Sequence, residues 1–190
     1  MGAPENFPSP VTARHRTPAT AERPDPALTR LLRLDNMEKP TRRRRQAAAL
    51  LRPLPEQEQF SSCALLTLRA ADADPHRTPF VVEHDGVAVG YGNIDALGYL
   101  PELTDDYADA ALLRAFYIDA AHQDRGHGRS AVRLLPALVR EVLPAARVLY
   151  LTVNESNPAG IRAYTAGGFT DVGRYLGGQL GPQRVMTIPV

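Results

Sequence analysis

Residues 112–132 decide the fold, and they read Leu-Leu-Arg-Ala-Phe-Tyr-Ile-Asp-Ala-Ala-His-Gln-Asp-Arg-Gly-His-Gly-Arg-Ser-Ala-Val. The segment divides into an apolar part that ends at Ile118, a polar part over residues 119–125, and Gly-His-Gly at 126–128. Apolar residues then recur at helical spacing: Ala131, Leu134, Leu135, Leu138 and Val142. A strand, a glycine loop and a helix start in this order predict a phosphate site, because the dipole and free N–H groups of a helix N-terminus attract anions.

The side chains around this loop suit the same role. Glycines let the backbone approach a ligand without a Cβ in the way, and Arg125 and Arg129 add positive charge. The alternative interpretation is an ordinary strand-to-helix turn that happens to contain two glycines.

Two other phosphate motifs fit less well. A P-loop requires Gly-Lys-Ser/Thr, and Lys39 is the only lysine in the chain. Gly126, Gly128 and Ala131 fit the dinucleotide pattern G-x-G-x-x-A. However, several residues separate the strand from the first glycine, and the next predicted strand ends at Asn154 rather than at an acid.

The remaining pattern is Gln-x-x-Gly-x-Gly, formed by Gln123, Gly126 and Gly128. It resembles motif A of the Gcn5-related N-acetyltransferase (GNAT) superfamily. Residues 157–169, Asn-Pro-Ala-Gly-Ile-Arg-Ala-Tyr-Thr-Ala-Gly-Gly-Phe, resemble the family's Asn-x-x-Ala-x-x-Leu-Tyr-x-x-x-Gly-Phe helix. Gly and Ala replace the usual Ala and Leu at the fourth and seventh positions. From two motifs in the right order, the chain is identified as a member of this superfamily.

The resemblance implies an α/β (α+β) fold with a mixed, mostly antiparallel sheet of about seven strands, splayed between strands 4 and 5, and about four helices on both faces. The residue patterns agree with this arrangement. Strands are predicted at 28–34, 80–83, 87–94, 112–118, 147–153, 169–176 and 183–190. Helices are predicted at 38–52, 64–71, 128–143 and 157–166, and residues 95–109 are predicted to form a long acidic loop.

A chain of 190 residues predicts one domain with a substantial core, and we assign the GNAT domain to residues 28–190. Residues 1–27 are predicted to be a disordered, Pro-rich N-terminal tail. After Met1 this segment has only Phe7 and Val11 as large apolar side chains. Such a segment cannot bury enough surface to offset its ordering entropy.

Composition also restricts the class of protein. The net charge of +1 gives no indication of a nucleic-acid partner. Cys63 is the single cysteine, which excludes disulfides within the chain and cysteine-based zinc sites, and no metal is expected. No segment has the apolar length of a membrane helix or a signal peptide, so we predict a cytoplasmic protein without a membrane partner. The basic run at 42–45 is interpreted as a solvated helix face; the alternative is contact with the cofactor's 3′-phosphate or another polyanion.

By resemblance, acetyl-CoA is the cosubstrate. The backbone of the fourth strand is expected to pair with the pantetheine arm, and the glycine loop to hold the pyrophosphate. Asn154 or Asn157 is expected to bond to the pantetheine or the acetyl end, although Asn157 before Pro158 is also a suitable helix N-cap. The predicted cofactor-binding residues are Phe116, Tyr117, Ile118, Gln123, Asp124, Arg125, Gly126, His127, Gly128, Arg129, Ser130, Asn154 and Asn157.

Tyr164 is the predicted catalytic residue. Acetyl transfer to an amine expels a thiolate of pKa about 8.5, and a tyrosine of pKa about 10 can donate a proton to it. The alternative is a helix tyrosine used only for packing. The amine must also lose a proton, and Glu155, Asp119 and the acids of the long loop are the candidate bases, with nothing in the sequence to separate them.

Charge and one short motif predict the acceptor. Between Arg77 and Arg114 the chain has no Lys or Arg, but it has seven acids: Glu83, Asp85, Asp95, Glu102, Asp105, Asp106 and Asp109. Residues 55–60 resemble the Pro-x-Gln-x-x-Phe stretch of the spermine/spermidine acetyltransferase branch. We therefore predict a polyamine or similar small cationic amine, with Glu56 and Glu58 as substrate-binding residues.

Other functions stay open at this point. Within the superfamily, the acceptor is alternatively an aminoglycoside, an amino acid or a protein N-terminus. A non-catalytic acetyl-CoA sensor and, more distantly, a nucleic-acid-binding module are the alternatives from other classes. The closing hairpin offers a free edge that suits a homodimer.

Overall fold

The computed structural model describes Asp25 and residues 28–190, so the tail predicted over residues 1–27 lies outside the described residues except for Asp25. The described part of the chain forms seven strands and four α-helices. In chain order these are β1 (Thr29–Arg33), α1 (Lys39–Leu50), α2 (Ala64–Asp72), β2 (Arg77–His84), β3 (Val87–Asp95), β4 (Ala110–Ile118), α3 (His127–Val142), β5 (Val148–Asn154), α4 (Pro158–Gly167), β6 (Thr170–Tyr175) and β7 (Gln183–Pro189).

The strands form one mixed sheet in the order β1-β2-β3-β4-β5-β7-β6. Only the central pair, β4 and β5, is parallel, and the other neighbours are antiparallel. That central pair is bonded over just three positions, from Ala110 opposite Val148 to Leu112 opposite Tyr150, after which the strands separate. The predicted fold, including the splay between the fourth and fifth strands, is confirmed.

The helices cover both faces of the sheet. On one face, Ala48 of α1 and Leu68 of α2 pack with Val81 of β2 in a buried apolar cluster. On the other face, Leu135 of α3 packs with Leu149 of β5 in a second and larger cluster. The apolar residues spaced three and four apart in α3 form its buried side, as the helical pattern predicted.

A β-bulge in β4 changes which side chains face each helix layer. Ala115 has a φ of 50°, and the pairing of β3 with β4 shifts register next to it. One extra residue reverses the alternation of side chains along the strand. Tyr117 therefore points to the α1/α2 face, whereas Phe116 and Ile118 pack on the α3 face.

The acidic loop is more ordered than predicted. It contains short 3₁₀ turns at Leu100–Glu102 and Tyr107–Asp109, and β4 begins at Ala110, before the predicted residue 112. Ala110 and Ala111 have little strand propensity, but they pair with β5 and are buried there. Tertiary packing therefore decides where this strand begins.

The basic run of α1 is partly neutralised inside the molecule. Arg45 bonds to both carboxylate oxygens of Asp72 on α2, at 2.8 and 2.6 Å, and also to the carbonyl of Leu34. Arg44 Nε lies 3.5 Å from Glu83 Oε2. The run therefore joins α1 to its neighbours through these two members. Within residues 28–190, no helix has the length and apolar character needed to cross a membrane.

Candidate active site

A cleft opens where β4 and β5 separate, and its volume is about 900 Å³. One wall is the edge of β4 beyond Leu112, and the other is the edge of β5 from Thr152 to Asn154. We call the side next to the last bonded pair the closed end, and the side at the C-terminal ends of the two strands the open end. Both edges leave backbone N–H and C=O groups free to pair with an extended ligand arm.

Residues 123–130, named here the phosphate loop, form the open end. Gly126 precedes α3 with a φ of 90°, a conformation that glycine adopts without strain. The amide of Ser130 bonds to the carbonyl of Gly126 at 3.0 Å, whereas the amides of His127, Gly128 and Arg129 have no acceptor in the described chain. Three free N–H groups at the positive end of a 16-residue helix form an anion site.

The side chain of Gln123 holds the loop in shape. Its Nε2 donates to the carbonyl of Ile118 at 2.9 Å and to Oε1 of Gln57 at 2.7 Å. Gln57 donates in return to Gln123 Oε1 at 3.2 Å. The glutamine of the motif thus connects the end of β4 with the segment between α1 and α2, and it positions the amides that follow.

His127 lies beneath the loop rather than in the ligand space. Its ring is buried, lies 4.7 Å from the ring of His84, and leaves Nδ1 without a hydrogen-bond partner among the described residues. Burial, together with the nearby His84, His122 and Arg125, lowers the pKa of His127 to about 4. The ring is therefore neutral at physiological pH, and its backbone amide supplies the contact to the ligand space.

Tyr164 stands in the cleft between its two ends. The half-buried ring packs against Phe116, with 6.2 Å between centroids, and against Phe169 at 5.8 Å. No hydrogen-bond partner for its hydroxyl occurs within residues 28–190. Burial, with Tyr99 nearby, raises the pKa of Tyr164 above its ordinary value, so the hydroxyl keeps its proton at neutral pH.

Aromatic and arginine side chains gather at the closed end. The ring of Tyr99 stacks on that of Tyr175 at 5.4 Å, and its hydroxyl lies 2.8 Å from Oγ1 of Thr152 on β5. The guanidinium of Arg114 lies over the Tyr99 ring, 5.5 Å from the centroid. Arg77 of β2 lines the same end. The contacts of Tyr99 join β4, β5 and β6 around the point where the strands separate.

The candidate bases are engaged in other contacts. Asp119 accepts from the backbone amides of Arg52 at 2.9 Å and Ala121 at 3.1 Å. Glu155 accepts two hydrogen bonds from Arg174, which lower the pKa of its carboxyl, and Arg184 adds to this effect. A carboxylate with a lowered pKa is a weaker base at neutral pH.

The acids of the long loop are likewise not free in the cleft. Asp95 is 1% exposed and accepts from Arg114 at 2.9 Å. Glu102 accepts from the hydroxyl of Tyr175 at 2.7 Å. Asp124, in the phosphate loop, is the one acid among the described residues that line the cleft.

Both candidate asparagines border the cleft and bond within the chain. Asn154 accepts from the amide of Ser156 at 2.8 Å and donates to the carbonyl of Leu180 at 2.9 Å. Asn157 caps α4, since its Oδ1 accepts from the amide of Gly160 at 2.9 Å. The N-cap interpretation of Asn157 is therefore present in the structure, and its Nδ2 is left for a ligand.

The sequence model of the acetyltransferase (GNAT) family matches residues 39–169, which include the phosphate loop, both cleft walls and Tyr164. The chain belongs to the GNAT family. This membership confirms the enzyme class that the two motifs predicted, an acetyl-CoA-dependent N-acetyltransferase.

Similar proteins agree with this family. An uncharacterized N-acetyltransferase of Bacillus subtilis, YbbJ, is 29% identical over 131 residues, which cover 69% of this chain and 82% of that protein. Among solved structures, spermidine N-acetyltransferase from Vibrio cholerae with CoA and spermine aligns at a TM-score of 0.58 with 16% identity, over 86% of this chain and 96% of that one. Aminoglycoside acetyltransferase AAC(6′)-Ib with CoA and kanamycin aligns at 0.57 with 20% identity, over 84% and 95%. At these identities the two solved structures bear on the fold alone.

The GNAT cleft brings together most of the residues predicted for it. Those that line the cleft are Phe116, Tyr117, Ile118, Gln123, Asp124, Gly126, His127, Gly128, Arg129, Asn154, Asn157 and Tyr164. Arg125 is exposed and does not line the cleft. Ser130 does not line it either, because it follows Arg129, the last residue of the loop that does. Glu56 and Glu58 are also exposed outside it, because the short turn at Pro55–Gln57 points Gln57 and not its neighbours into the cleft.

Tyr117 shows how a residue can border the cleft and still have a structural side chain. Its hydroxyl accepts from the amide of Ala64 at the start of α2 and donates to the carbonyl of Leu51 after α1, at 2.9 and 3.1 Å. Burial raises the pKa of Tyr117 to about 12. The side chain fastens β4 to both helices, which leaves its backbone for the predicted contact with the pantetheine arm.

The closed end carries no sequence motif that would reveal it. Its residues Arg77, Asn93, Tyr99, Thr152 and Tyr175 lie far apart in the chain and match no motif. One signal was present: Asn93 is a polar residue within the otherwise apolar strand of residues 87–94. A buried amide in such a strand needs a partner, and this need is a reason to suspect a site.

Proposed function

We propose that this GNAT protein moves the acetyl group of acetyl-CoA to the amino group of a small molecule, with the cofactor held from the open end and the acceptor bound at the closed end. The observation that carries the proposal is the set of three free amides of the phosphate loop, at the mouth of a cleft of about 900 Å³. The free strand edges supply donors and acceptors for an extended arm. Acetyl-CoA, when bound, supplies an acetyl group activated as a thioester.

Residues of the chain would perform three tasks in this reaction. The amides of His127, Gly128 and Arg129 bind phosphate oxygens and fix the cofactor. The phenol of Tyr164 gives its proton to the departing thiolate, and a proton lost by the acceptor ammonium and passed through solvent restores it. The raised pKa of Tyr164 keeps the hydroxyl protonated before the reaction begins, and it also makes the phenol a weaker acid, so the role rests on the position of Tyr164 in the cleft.

The acceptor nitrogen must be neutral when it reacts. An alkyl ammonium of pKa about 10.4 is neutral in roughly one molecule in 2,500 at pH 7. The described lining of the cleft offers no carboxylate near the closed end, and the acids considered above are paired elsewhere. We therefore assign the loss of this proton to solvent that reaches the closed end, and no side chain is given the role of base.

The predicted polyamine acceptor has mixed support. A spermidine N-acetyltransferase shares the fold, but at 16% identity this similarity does not indicate the same substrate. The predicted anchors Glu56 and Glu58 lie outside the cleft lining, and arginines line the closed end. The polyamine, the homodimer and the cytoplasmic location stay predictions.

The proposed function is tested by thiol release from acetyl-CoA against spermidine, spermine, aminoglycosides, amino acids and peptides. Turnover with at least one amine, and its loss in Tyr164→Phe, is the expected result. A sensor would bind acetyl-CoA tightly and release no thiol with any amine. That result would overturn the transferase role and favour the sensor.

A further inference from the structure

The closed end of the cleft carries polar side chains that acetyl transfer itself does not use. Arg77 of β2, Asn93 of β3 and Arg114 of β4 come from three adjacent strands. Tyr99 and Tyr175 form an aromatic wall beside them. A cofactor fixed by its phosphates at the open end directs its acyl group toward these residues, so they are positioned to bind the acceptor.

The ionised side chains of this end are cationic. Arg77 and Arg114 line the cleft, whereas their partner Asp95 is buried behind them and does not. Arg77 Nε lies 3.0 Å from Asp74 Oδ2 and 3.4 Å from Asp95 Oδ2, and Arg114 Nη1 lies 2.9 Å from the same Asp95 oxygen. Asp74 and Asp95 offset the charge of Arg77, whereas Arg114 keeps free N–H donors, so a cationic group that approaches Arg114 is opposed. An acceptor with an anionic group would be attracted.

Arg114 is arranged to bind that anion. Its Nη1 donates to Asp95, and the remaining N–H donors of the guanidinium have no acceptor among the described residues. The guanidinium is held over the Tyr99 ring and is about one-third exposed to the cleft. A guanidinium with a fixed orientation and free N–H groups matches the two coplanar oxygens of a carboxylate.

Asn93 supplies the second half of the site. It is 3% exposed, it lines the cleft, and its Oδ1 has no hydrogen-bond partner within residues 28–190. It lies directly opposite Arg114 in the β3/β4 pairing, so both side chains leave the same face of the sheet, with Cβ atoms about 5 Å apart. A buried oxygen without a partner is costly unless a ligand donates to it.

From this juxtaposition we infer that the acceptor is an amino carboxylate, bound through its carboxylate at Arg114 and through its amino group at Asn93 Oδ1. The inference rests on the proposed acetyl transfer and names its substrate class. In the reaction an N–C bond forms and the thioester C–S bond breaks. The ammonium form of the acceptor loses two protons overall: one restores the proton that Tyr164 gives to the thiolate, and the other is released to solvent.

Matched pairs of amines test the inference directly. Lysine is compared with 1,5-diaminopentane, and phenylalanine with 2-phenylethylamine, since each second compound lacks only the carboxylate. We expect kcat/KM for the amino acid to exceed that of its partner by about tenfold or more, because a charge-assisted bidentate pair is lost. Equal or better turnover of the diamine, or of spermidine, overturns the inference and keeps the proposed function.

Two variants locate the effect. Arg114→Gln is expected to raise KM for amino acids about tenfold and to remove the preference within each pair, with KM for acetyl-CoA unchanged. Asn93→Leu removes an oxygen that has no partner in the free protein. Its melting temperature should therefore equal or exceed that of the parent while KM for amino acids rises. Arg140 is an exposed residue of α3, and Arg140→Gln is the control. It should change neither KM for amino acids nor the melting temperature.

The inference and the proposed function fail in different ways. If no amine releases thiol, the proposed function fails, and binding of amino acids in the presence of CoA is then measured by calorimetry. Binding that weakens in Arg114→Gln, with retained melting temperature and CoA affinity, supports the anion site without turnover. If no amino acid binds, or if Arg114→Gln binds amino acids as well as the parent, the inference is wrong.

Discussion

The two ends of the GNAT cleft are built in different ways. The open end is one continuous loop, in which Gly126 and Gly128 shape the backbone and the amides carry the chemistry. The closed end is assembled from side chains that lie far apart in the sequence and meet only through strand pairing. The open end therefore depends on local backbone conformation, and the closed end depends on sheet register and buried charge. Substitutions at each end should have effects of different kinds.

The largest effect is expected at Tyr164, where the two ends meet. Tyr164→Phe removes the proton donor but keeps the ring contacts with Phe116 and Phe169. We expect kcat to fall roughly 100-fold, as is typical when a general acid is lost, with KM for acetyl-CoA unchanged. Steady-state kinetics measure this, with Tyr107→Phe, an exposed tyrosine outside the cleft lining, as the control. An unchanged kcat would reduce Tyr164 to a packing residue.

The next largest effect concerns the charge behind the closed end. Asp95→Asn leaves Arg77 and Arg114 without their buried carboxylate. We expect unfolding free energy to fall by about 2 kcal/mol, less than for a fully buried pair because both arginines are partly exposed. Urea denaturation measures the change. Asp171→Asn, which affects an exposed ion pair with Arg184, is the control and should cost little.

If Asp95→Asn is as stable as the parent, Asp95 does not hold the two arginines in place. In that case the closed end does not depend on buried charge.

At the open end, Gly128→Ala separates folding from binding. A Cβ at Gly128 would meet Ile118 Cγ1 at 3.5 Å, an ordinary contact, so the fold has room for it. The added methyl group would occupy the side from which a phosphate approaches the amides. We expect KM for acetyl-CoA to rise about tenfold, with a melting temperature no lower than that of the parent.

Gly173→Ala is the matched control, since no atom lies within 4 Å of its Cβ position. It should leave KM for acetyl-CoA unchanged. If Gly128→Ala has an unchanged KM as well, the amides of this loop do not hold the cofactor.

Much of the fold, and the open end, was predictable from the sequence because their signals are local. The helical spacing after Gly128 predicted α3, and the strand patterns predicted the seven strands, whereas the splay between β4 and β5 was expected from the GNAT resemblance. The bulge at Ala115 was not predictable, since alanine gives no sign of a φ of 50°. That bulge exchanges the faces to which Phe116 and Tyr117 point, and so decides which aromatic ring meets Tyr164.

The closed end could not be read from the sequence for a related reason. The seven acids between Arg77 and Arg114 suggested an acidic substrate mouth. The pairing of β2, β3 and β4 instead buries Asp95 and turns both flanking arginines into the cleft. Charge counted along a chain does not give the charge of a site when ion pairs remove the acids from its surface.

The smallest expected effect is a pH dependence at the open end. The pKa of His127 is lowered to about 4 in the folded protein, against about 6.5 in the unfolded chain. Between these two pH values the unfolded state binds more protons than the folded state. The unfolding free energy is therefore highest above pH 6.5 and decreases as the pH falls toward 4. Between pH 7 and pH 5.5 the loss should be about 1 kcal/mol.

Urea denaturation at the two pH values checks this contribution. His127→Leu should abolish it, whereas His76→Leu, at an exposed position, should retain it. An equal pH dependence in His127→Leu and the parent would show that the ring does not titrate as its burial predicts.

The division of the cleft is tested most directly by two-substrate kinetics on Gly128→Ala and Asn93→Leu, measured with acetyl-CoA and an amino acid acceptor. The account predicts a crossed pattern, in which Gly128→Ala raises only KM for acetyl-CoA and Asn93→Leu raises only KM for the acceptor. Parallel changes in both constants for both variants, or an unchanged acceptor KM in Asn93→Leu, would contradict a cofactor end and an acceptor end built from separate parts of the fold.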